Sequence, residues 1–440
     1  MSHYKPYPAY RESGVECLGS VPKHWTTLRF ANIGPLMKGN GGTKEDDAEC
    51  GTPCVRYGDL YTTYDFLIHE IKKFIRPEVE ANYTPIKFGD LLLAASGETF
   101  EEIGKSAVNL DRNNACCGGD VIILRPERAI DPVYLAYAAG SISAQAQKSI
   151  MGKGFTVIHV YGNELRDLVI AAPPEEEQKL IGATIERESA RIDALIEKKT
   201  LFIDLLKLKR QSLITNAVIK GIDSTVKLRD SGVEWIGAIP DHWSVMRMGN
   251  IYREADRTGD PTLPVLSISI HDGISDDELA QEDRDRRVSQ IEDREKYKRV
   301  VPGDLAYNMM RAWQGGFGAV MVDGLVSPAY VVAEPTCEIR SDFVELLLRT
   351  SMAIEEMRRF SRGIADFRMR LYWDDFKNIR VCLPPIEEQN RILEFIANAS
   401  SRIDLLAEKT QESITLLKER RTALITAAVT GQIDLREDIA

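Results

Sequence analysis

Three stretches of this 440-residue chain carry residues at spacings that could do chemistry. Gly104, Lys105 and Ser106 match the end of a phosphate-cradling loop, in which backbone amides and a lysine wrap an anion. That loop needs a glycine five residues before its second glycine, and Thr99 stands there. The prolines of APPE and LPPI, at Pro173-Pro174 and Pro384-Pro385, lack the Asn or Asp and the aromatic residue of an amino-methyltransferase's catalytic Pro-Pro loop. Cys50 and Cys54 stand four apart, but no second Cys or His pair lies at zinc-ligand spacing, so no metal site is expected. Paired catalytic carboxylates, a nucleophile elbow, HExxH and a GxGxxG after a strand are also missing, and no residue is assigned as catalytic.

What remains is basic and amide side chains in loops. In the first half these are Lys38, Asn40 and Lys44 in a Gly-rich loop, Arg56 and Tyr57, Lys105, and Lys148 and Lys153 around MGKGF. In the second half they are Asn308, Arg311, Trp313 and Gln314 in NMMRAWQGG, and Arg362, Arg368 and Arg370 in SRGIADFRMR. Arg, Asn and Gln reach base edges with two hydrogen bonds at once, while Lys and Arg neutralise phosphates, so these residues are candidates for DNA contact. The run at 284–299, RDRRVSQIEDREKYKR, alternates in sign and reads as a solvated helical face.

The elements that must hold these loops are legible from a duplication. Residues 173–218 carry no proline after Pro174 and only one interrupting glycine, Gly182, which predicts one helix of about 44 residues, roughly 66 Å long. Its apolar stripe is Ile181, Ile185, Ile192, Leu195, Phe202, Leu206 and Leu213. The motif that opens it, Pro173, Pro174, Glu176, Glu177 and Gln178, returns 211 residues later as Pro384, Pro385, Glu387, Glu388 and Gln389. There the matching stripe is Ile392, Ile396, Ile403, Leu406, Leu417 and Leu424. Two copies of one amphipathic helix should pack on each other as a coiled-coil core. A second repeat, RESGVECLGSVPKHW at 11–25 against RDSGVEWIGAIPDHW at 229–243, has nine identities in fifteen. Each half is thus a leader, a globular region and a long helix.

Within the globular regions, short apolar runs at 90–95, 121–124 and 327–332 read as strands. Helices are expected at 132–150 and 342–360. FGDLLLA at Phe88 is echoed by PGDLAYN at Pro302, yet little else matches between these landmarks. The expected class is α/β (α+β), divided as 1–172, 173–220, 221–383 and 384–440. A composition of 44% hydrophobic and 28% charged residues is that of a globular chain. Seven cysteines, two of them adjacent, suit reduced thiols, and the first residues show no apolar signal region, so a cytoplasmic location without a membrane is expected. The net charge of −11 argues against nucleic acid unless basic groups are concentrated locally.

The leader ending in P-x-H-W, the GDL strands and the PPxEEQ helix with its RID at Arg191 and Arg402, each present twice, resemble the specificity subunit of type I restriction-modification systems. NMMRAWQGG is similar to a segment found in that family's target-recognition domains. The resemblance implies a non-catalytic DNA-binding subunit used in phage defence. Its two target-recognition domains are separated by two long helices packed as an antiparallel coiled coil with a pseudo-twofold repeat. It also implies double-stranded DNA, two methyltransferase subunits and restriction/translocase subunits as partners. No cofactor is expected on this chain; S-adenosylmethionine, ATP and Mg belong to the partners, which methylate adenine and cleave DNA. The target is expected to be bipartite and asymmetric, with an unread gap. The residues alone leave two other readings open: a coiled-coil scaffold for other proteins, and a self-contained DNA-modifying enzyme.

Overall fold

The computed structural model describes residues 4–270, 273–278, 294–363 and 369–436. Two compact units form: residues 1–200 with 412–440, and residues 201–411. Each combines a sheet-rich domain with the beginning of one long helix and the end of the other. The fold is α+β, and both long helices are present, at Glu175–Lys220 and Ile386–Val429. Among the described residues no helix is long and apolar enough to cross a membrane.

In the first unit the sheet order is Leu36–Lys38, Val121–Leu124, Leu91–Ala94, Ser106–Asn109 and Phe66–Ile68, antiparallel except for the last pair. A second five-stranded sheet holds Thr52–Val55 and Ala115–Cys117 side by side. The central strand Leu91–Ala94 is buried throughout, as its unbroken apolar sequence requires. In the second unit the sheet order is Tyr252–Ala255, Tyr330–Pro335, Leu305–Asn308 and Phe317–Ala319. Leu305–Asn308 is the counterpart of Leu91–Ala94.

The GDL motif explains itself in both units. Asp90 is buried before the first central strand, where its carboxylate accepts the Lys87 N–H at 2.8 Å and the Arg125 guanidinium at 2.6 Å. Asp304 does the same with the Val301 N–H at 2.9 Å and Arg257 at 2.5 Å. Burial pushes the Asp304 carboxyl above its ordinary range despite the arginine. The two arginines follow different strands, Val121–Leu124 and Tyr252–Ala255, so the need for a partner is repeated while its source is not.

The PPxEEQ motif is a set of stitches. Gln178 accepts the Asp131 N–H at 2.9 Å and donates to the Pro173 carbonyl at 2.8 Å, tying the start of its helix to the start of helix Pro132–Ala139. Gln389 repeats both bonds with the Arg340 N–H and the Pro384 carbonyl, each at 2.9 Å. Glu177 meets His24 at 3.0 Å and Glu388 meets His242 at 2.7 Å, which is the shared role of the two leader histidines. We expect Gln178→Ala and Gln389→Ala each to leave one buried carbonyl and one half-buried N–H unpaired and to lose about 2 kcal/mol, read from chemical denaturation. A loss at one position and none at the other would contradict the equivalence.

The ends of the helices close the repeat. After Lys220, Gly221 turns the chain in the left-handed region, φ 76°, against Trp243 and Pro240. In the first unit Gly431 does so after the other helix, φ 73°, against Trp25 and Pro22. A glycine past the last turn is the residue type that takes this conformation without strain.

Within each unit the two helices run antiparallel. Asp193 meets Arg421 at 3.6 Å in the first, and Arg210 meets Asp404 at 3.6 Å in the second, where Val218 lies near the opposite helix's start beside Cys382. Three expected seam residues are corrected: Leu195, Phe202 and Leu406 are 48%, 44% and 51% exposed. The first helix instead turns Ile192, Ile196, Lys199, Ile203 and Leu206 inward, and the second Ile403, Ala407, Thr410, Ile414 and Leu417. This is a heptad spacing, and it passes through a lysine, an alanine and a threonine that an apolar stripe skips.

The helices expected at 132–150 and 342–360 are each broken once. They run Pro132–Ala139 with Ile142–Met151, and Ser341–Leu348 with Ser351–Phe360. Ser141 and Thr350 cap the second pieces by accepting the N–H of Ala144 and Ala353, both at 3.3 Å.

Candidate nucleic-acid interface

The exit of each central strand gathers the loops. In the first unit Ala95, just past the strand, donates its N–H to Asp120 O at 2.8 Å and accepts the Val160 N–H at 2.9 Å. In the second unit Met309 accepts the Leu371 N–H at 2.9 Å. The same strand end therefore meets the same later loop in both.

In the first unit this end opens on a cleft of about 970 Å³ lined by Lys38, Arg128, His159, Tyr161 and Arg166, with Asp120 and Glu127 opposing them. Lys38 and Asn40 are exposed, and the Asn40 N–H is held by Thr84 Oγ1 at 3.0 Å. Lys44 belongs to the same loop, but its side chain lies outside the described residues. Arg56 is already engaged: its guanidinium donates to Thr43 O at 2.8 Å and to Asp47 at 2.5 Å, so it holds the Gly-rich loop in place. Tyr83 donates to Asp46 at 2.8 Å beside it; burial and that carboxylate push its hydroxyl up to about 12. Tyr57 is exposed, and Lys105 is half-buried on the turn before Ser106–Asn109.

Besides Arg56, two further first-unit candidates are not free cations. Lys148 is fully buried, with its Nζ on Gly104 O at 2.8 Å and Ser106 Oγ at 3.4 Å, and no phosphate can reach it. It reads as a loop lysine in sequence because MGKGF follows it, yet it lies on helix Ile142–Met151 and points into the core. Lys153 is exposed but ion-paired with Glu164 at 2.6 Å.

In the second unit Asn308 is buried and shapes the turn, its Oδ1 accepting the Met310 N–H at 2.9 Å. Trp313 donates its indole N–H to Met310 O at 3.0 Å and lies under the Arg358 guanidinium at 5.7 Å. Arg311 is half-buried and Gln314 exposed on the turn Ala312–Gln314. Arg362 is paired with Asp375 at 2.6 Å, Arg370 is half-buried beside Leu371, and Arg368 lies outside the described residues, as does most of the run at 284–299. Sequence reasoning passed over Tyr161, Arg128 and Arg166, which single residues in ordinary surroundings do not announce. It also passed over Phe100 and Phe155, exposed aromatics among polar and glycine neighbours, a contrast the sequence does display.

The fold is that of the specificity subunits of type I restriction-modification systems. A chain solved in work on complex assembly and conformational transition of the type I R-M system superposes with a TM-score of 0.65 at 17% identity, over 94% of this chain and 99% of that one. The HsdS subunit from Thermoanaerobacter tengcongensis superposes with a TM-score of 0.52 at 18% identity, over 94% and 98%. In sequence, the chain is similar to the putative type I restriction enzyme MjaX specificity subunit of Methanocaldococcus jannaschii, 26% identical over 240 residues. That match takes in 53% of this chain and 54% of the relative, so the chain spans about half the length of the curated relative it matches. No family model matches. The resemblance carried by the PPxEEQ helices and the leaders is thus met in sequence by a curated relative and in fold by solved subunits.

Proposed function

We propose that this chain is the DNA-specificity subunit of a type I restriction-modification complex, itself without catalytic activity. Each sheet-rich domain reads one half of a bipartite, asymmetric site. The long helices and the repeated leaders recruit two methyltransferase subunits, and through them the restriction and translocation subunits. S-adenosylmethionine, ATP and Mg act on those partners.

The observation that carries this reading is a repeated frame with unlike groups on it. Asp90 and Asp304, Gln178 and Gln389, and Ala95 and Met309 make matching bonds in the two units. The segments that follow these strand exits nonetheless differ, a second short strand Ser96–Gly97 in one and a turn with half-buried Arg311 and exposed Met310 in the other. Such an arrangement suits two readers of different sequences fixed to one kind of partner. The acidic total charge is consistent with a subunit whose phosphate contacts are shared with partners.

The test is Arg311→Ala and Gln314→Ala, each co-purified with the methyltransferase subunit and assayed on DNA variants. Each should relax one base position of one half-site, at a cost of about 1–3 kcal/mol, with the other half-site untouched. Equal loss on every sequence would reassign that residue to phosphate contact; loss spread over both half-sites would contradict one-domain, one-half reading.

A further inference from the structure

One loop has the same base in both units and different residues between the two sides of that base. Its base is a two-way backbone pair: Lys153 N–H to His159 O at 2.8 Å with the return bond at 2.7 Å, and Arg362 N–H to Arg370 O at 2.8 Å with the return at 2.9 Å. The basic residue at each base is tied to a carboxylate of the short helix that follows, Lys153 to Glu164 and Arg362 to Asp375, both at 2.6 Å. The residue directly after each base pair, Val160 or Leu371, is bonded to the exit of the central strand. Lys153 and Arg362 are therefore pillars. Between the two sides of the base stand residues 154–158 in one unit and 363–369 in the other, five against seven; each stretch opens on a glycine at positive φ, Gly154 and Gly363, and the residues after it do not match.

At the tip of the first of these loops Phe155 is 101% exposed, and Val157 is 47% exposed beside it. A phenylalanine is favoured out of water, and this one contributes nothing to the core. The tip's shape is enforced. Gly154 has φ 135°, and a Cβ there would lie 2.1 Å from Val157 O, so only glycine can precede Phe155 in this conformation. Phe100 packs against Gly152 at the loop's base, and its own turn carries exposed Glu98, Glu101 and Glu102. Those carboxylates repel phosphates, while each can accept from a cytosine amino group.

We propose, resting on the DNA-reading function above, that Phe155 is a specificity-determining residue of the first domain, making an apolar contact with the bases of its half-site. A protein partner is the less suitable occupant. Copies of one methyltransferase subunit would dock on features present in both units, whereas the residues between these matching pillars differ in number and in side chains. The half-sites are the ligands that differ. An exposed apolar side chain serves there either as a wedge between base pairs or against a thymine methyl.

The experiment uses the full chain in complex with its methyltransferase subunit, carrying Phe155→Ala or Phe155→Trp. Methylation of DNA variants should fall roughly tenfold for Phe155→Ala, with relaxed discrimination at one or two positions of one half-site. Phe155→Trp should keep most of both, and the melting temperature should not move. On DNA carrying 2-aminopurine, a fluorescence rise with the parent and not with Phe155→Ala identifies a wedge. Uracil in place of thymine, if it weakens the parent and not Phe155→Ala, identifies a methyl contact. Unchanged discrimination, no response in either arm, or loss of the methyltransferase subunit from the complex overturns the proposal. A parent complex that methylates no defined sequence would instead sink the function on which it rests.

Discussion

Replacing Lys148 by methionine is expected to stabilise the first unit at neutral pH by about 2 kcal/mol and to remove a rise in stability that the parent shows on the alkaline side. The side chain is fully buried, and no carboxylate among the described residues pairs with it; Gly104 O and Ser106 Oγ are its hydrogen-bond partners. Burial alone pulls the amine from its ordinary 10.5 down to about 7. Between these values the unfolded chain holds a proton that the folded chain has given up, so stability climbs with pH across that window. Below pH 7 the folded amine is protonated too, and the full penalty, on the order of 4 kcal/mol, stays in place. Methionine has nearly the same shape and removes the penalty, at the cost of leaving the Gly104 carbonyl short of a donor, about 1–2 kcal/mol. Denaturation midpoints measured from pH 6 to 10 should rise through the window for the parent and stay flat for Lys148→Met. Parallel curves would show that the amine is not buried as described. Because no duplex can touch this residue, DNA methylation by the complex should be unchanged, which separates Lys148 from its exposed neighbours.

The two leader tryptophans should be equally costly to remove although the domains beside them differ. Trp25 and Trp243 are each 1% exposed. Each lies over the glycine that ends a long helix, and each passes its carbonyl to a leader arginine: Arg11 reaches Trp25 O at 2.8 Å and Arg229 reaches Trp243 O at 2.6 Å. Trp25 packs edge-on against Tyr7 at 5.6 Å and Trp243 against Phe343 at 6.4 Å. Trp25→Ala and Trp243→Ala should each cost about 3–5 kcal/mol by truncation and the cavity it leaves. Among the described residues neither indole N–H has a hydrogen-bond partner, so phenylalanine at either position should lose mainly volume and cost clearly less. A large loss in one unit with tolerance in the other, by chemical denaturation, would contradict the equivalence of the two leaders.

Much of the frame was legible because it is duplicated and local. Helix length follows from the absence of proline between Pro174 and Lys220, and Gln178 and Gln389 could be matched before either had a known partner. The seam was read one position out of phase at Leu195 and Phe202, because a heptad that passes through Lys199 and Thr410 is invisible to a search for apolar letters. The makeup of the compact units was not legible either. Each draws a helix end from the far half of the sequence, and nothing local tells residues 412–429 that their neighbours are 175–200. The candidate contacts were found by type and divided by structure. Gln314 and Lys38 stand in the open, Arg56, Lys153 and Arg362 are pinned by carboxylates, and Lys148 is interior. Charge in a sequence does not say whether a counter-ion already waits across the fold.

The central claim is that two unlike readers on one repeated frame select a split DNA site. The direct measurement is methylation of a random-sequence duplex library by this chain co-purified with its methyltransferase subunit, with modified adenines located by sequencing. Two short, different sequences separated by a fixed unread gap are the result expected. A single uninterrupted sequence, a palindrome, or no sequence preference from an intact, active complex would contradict it.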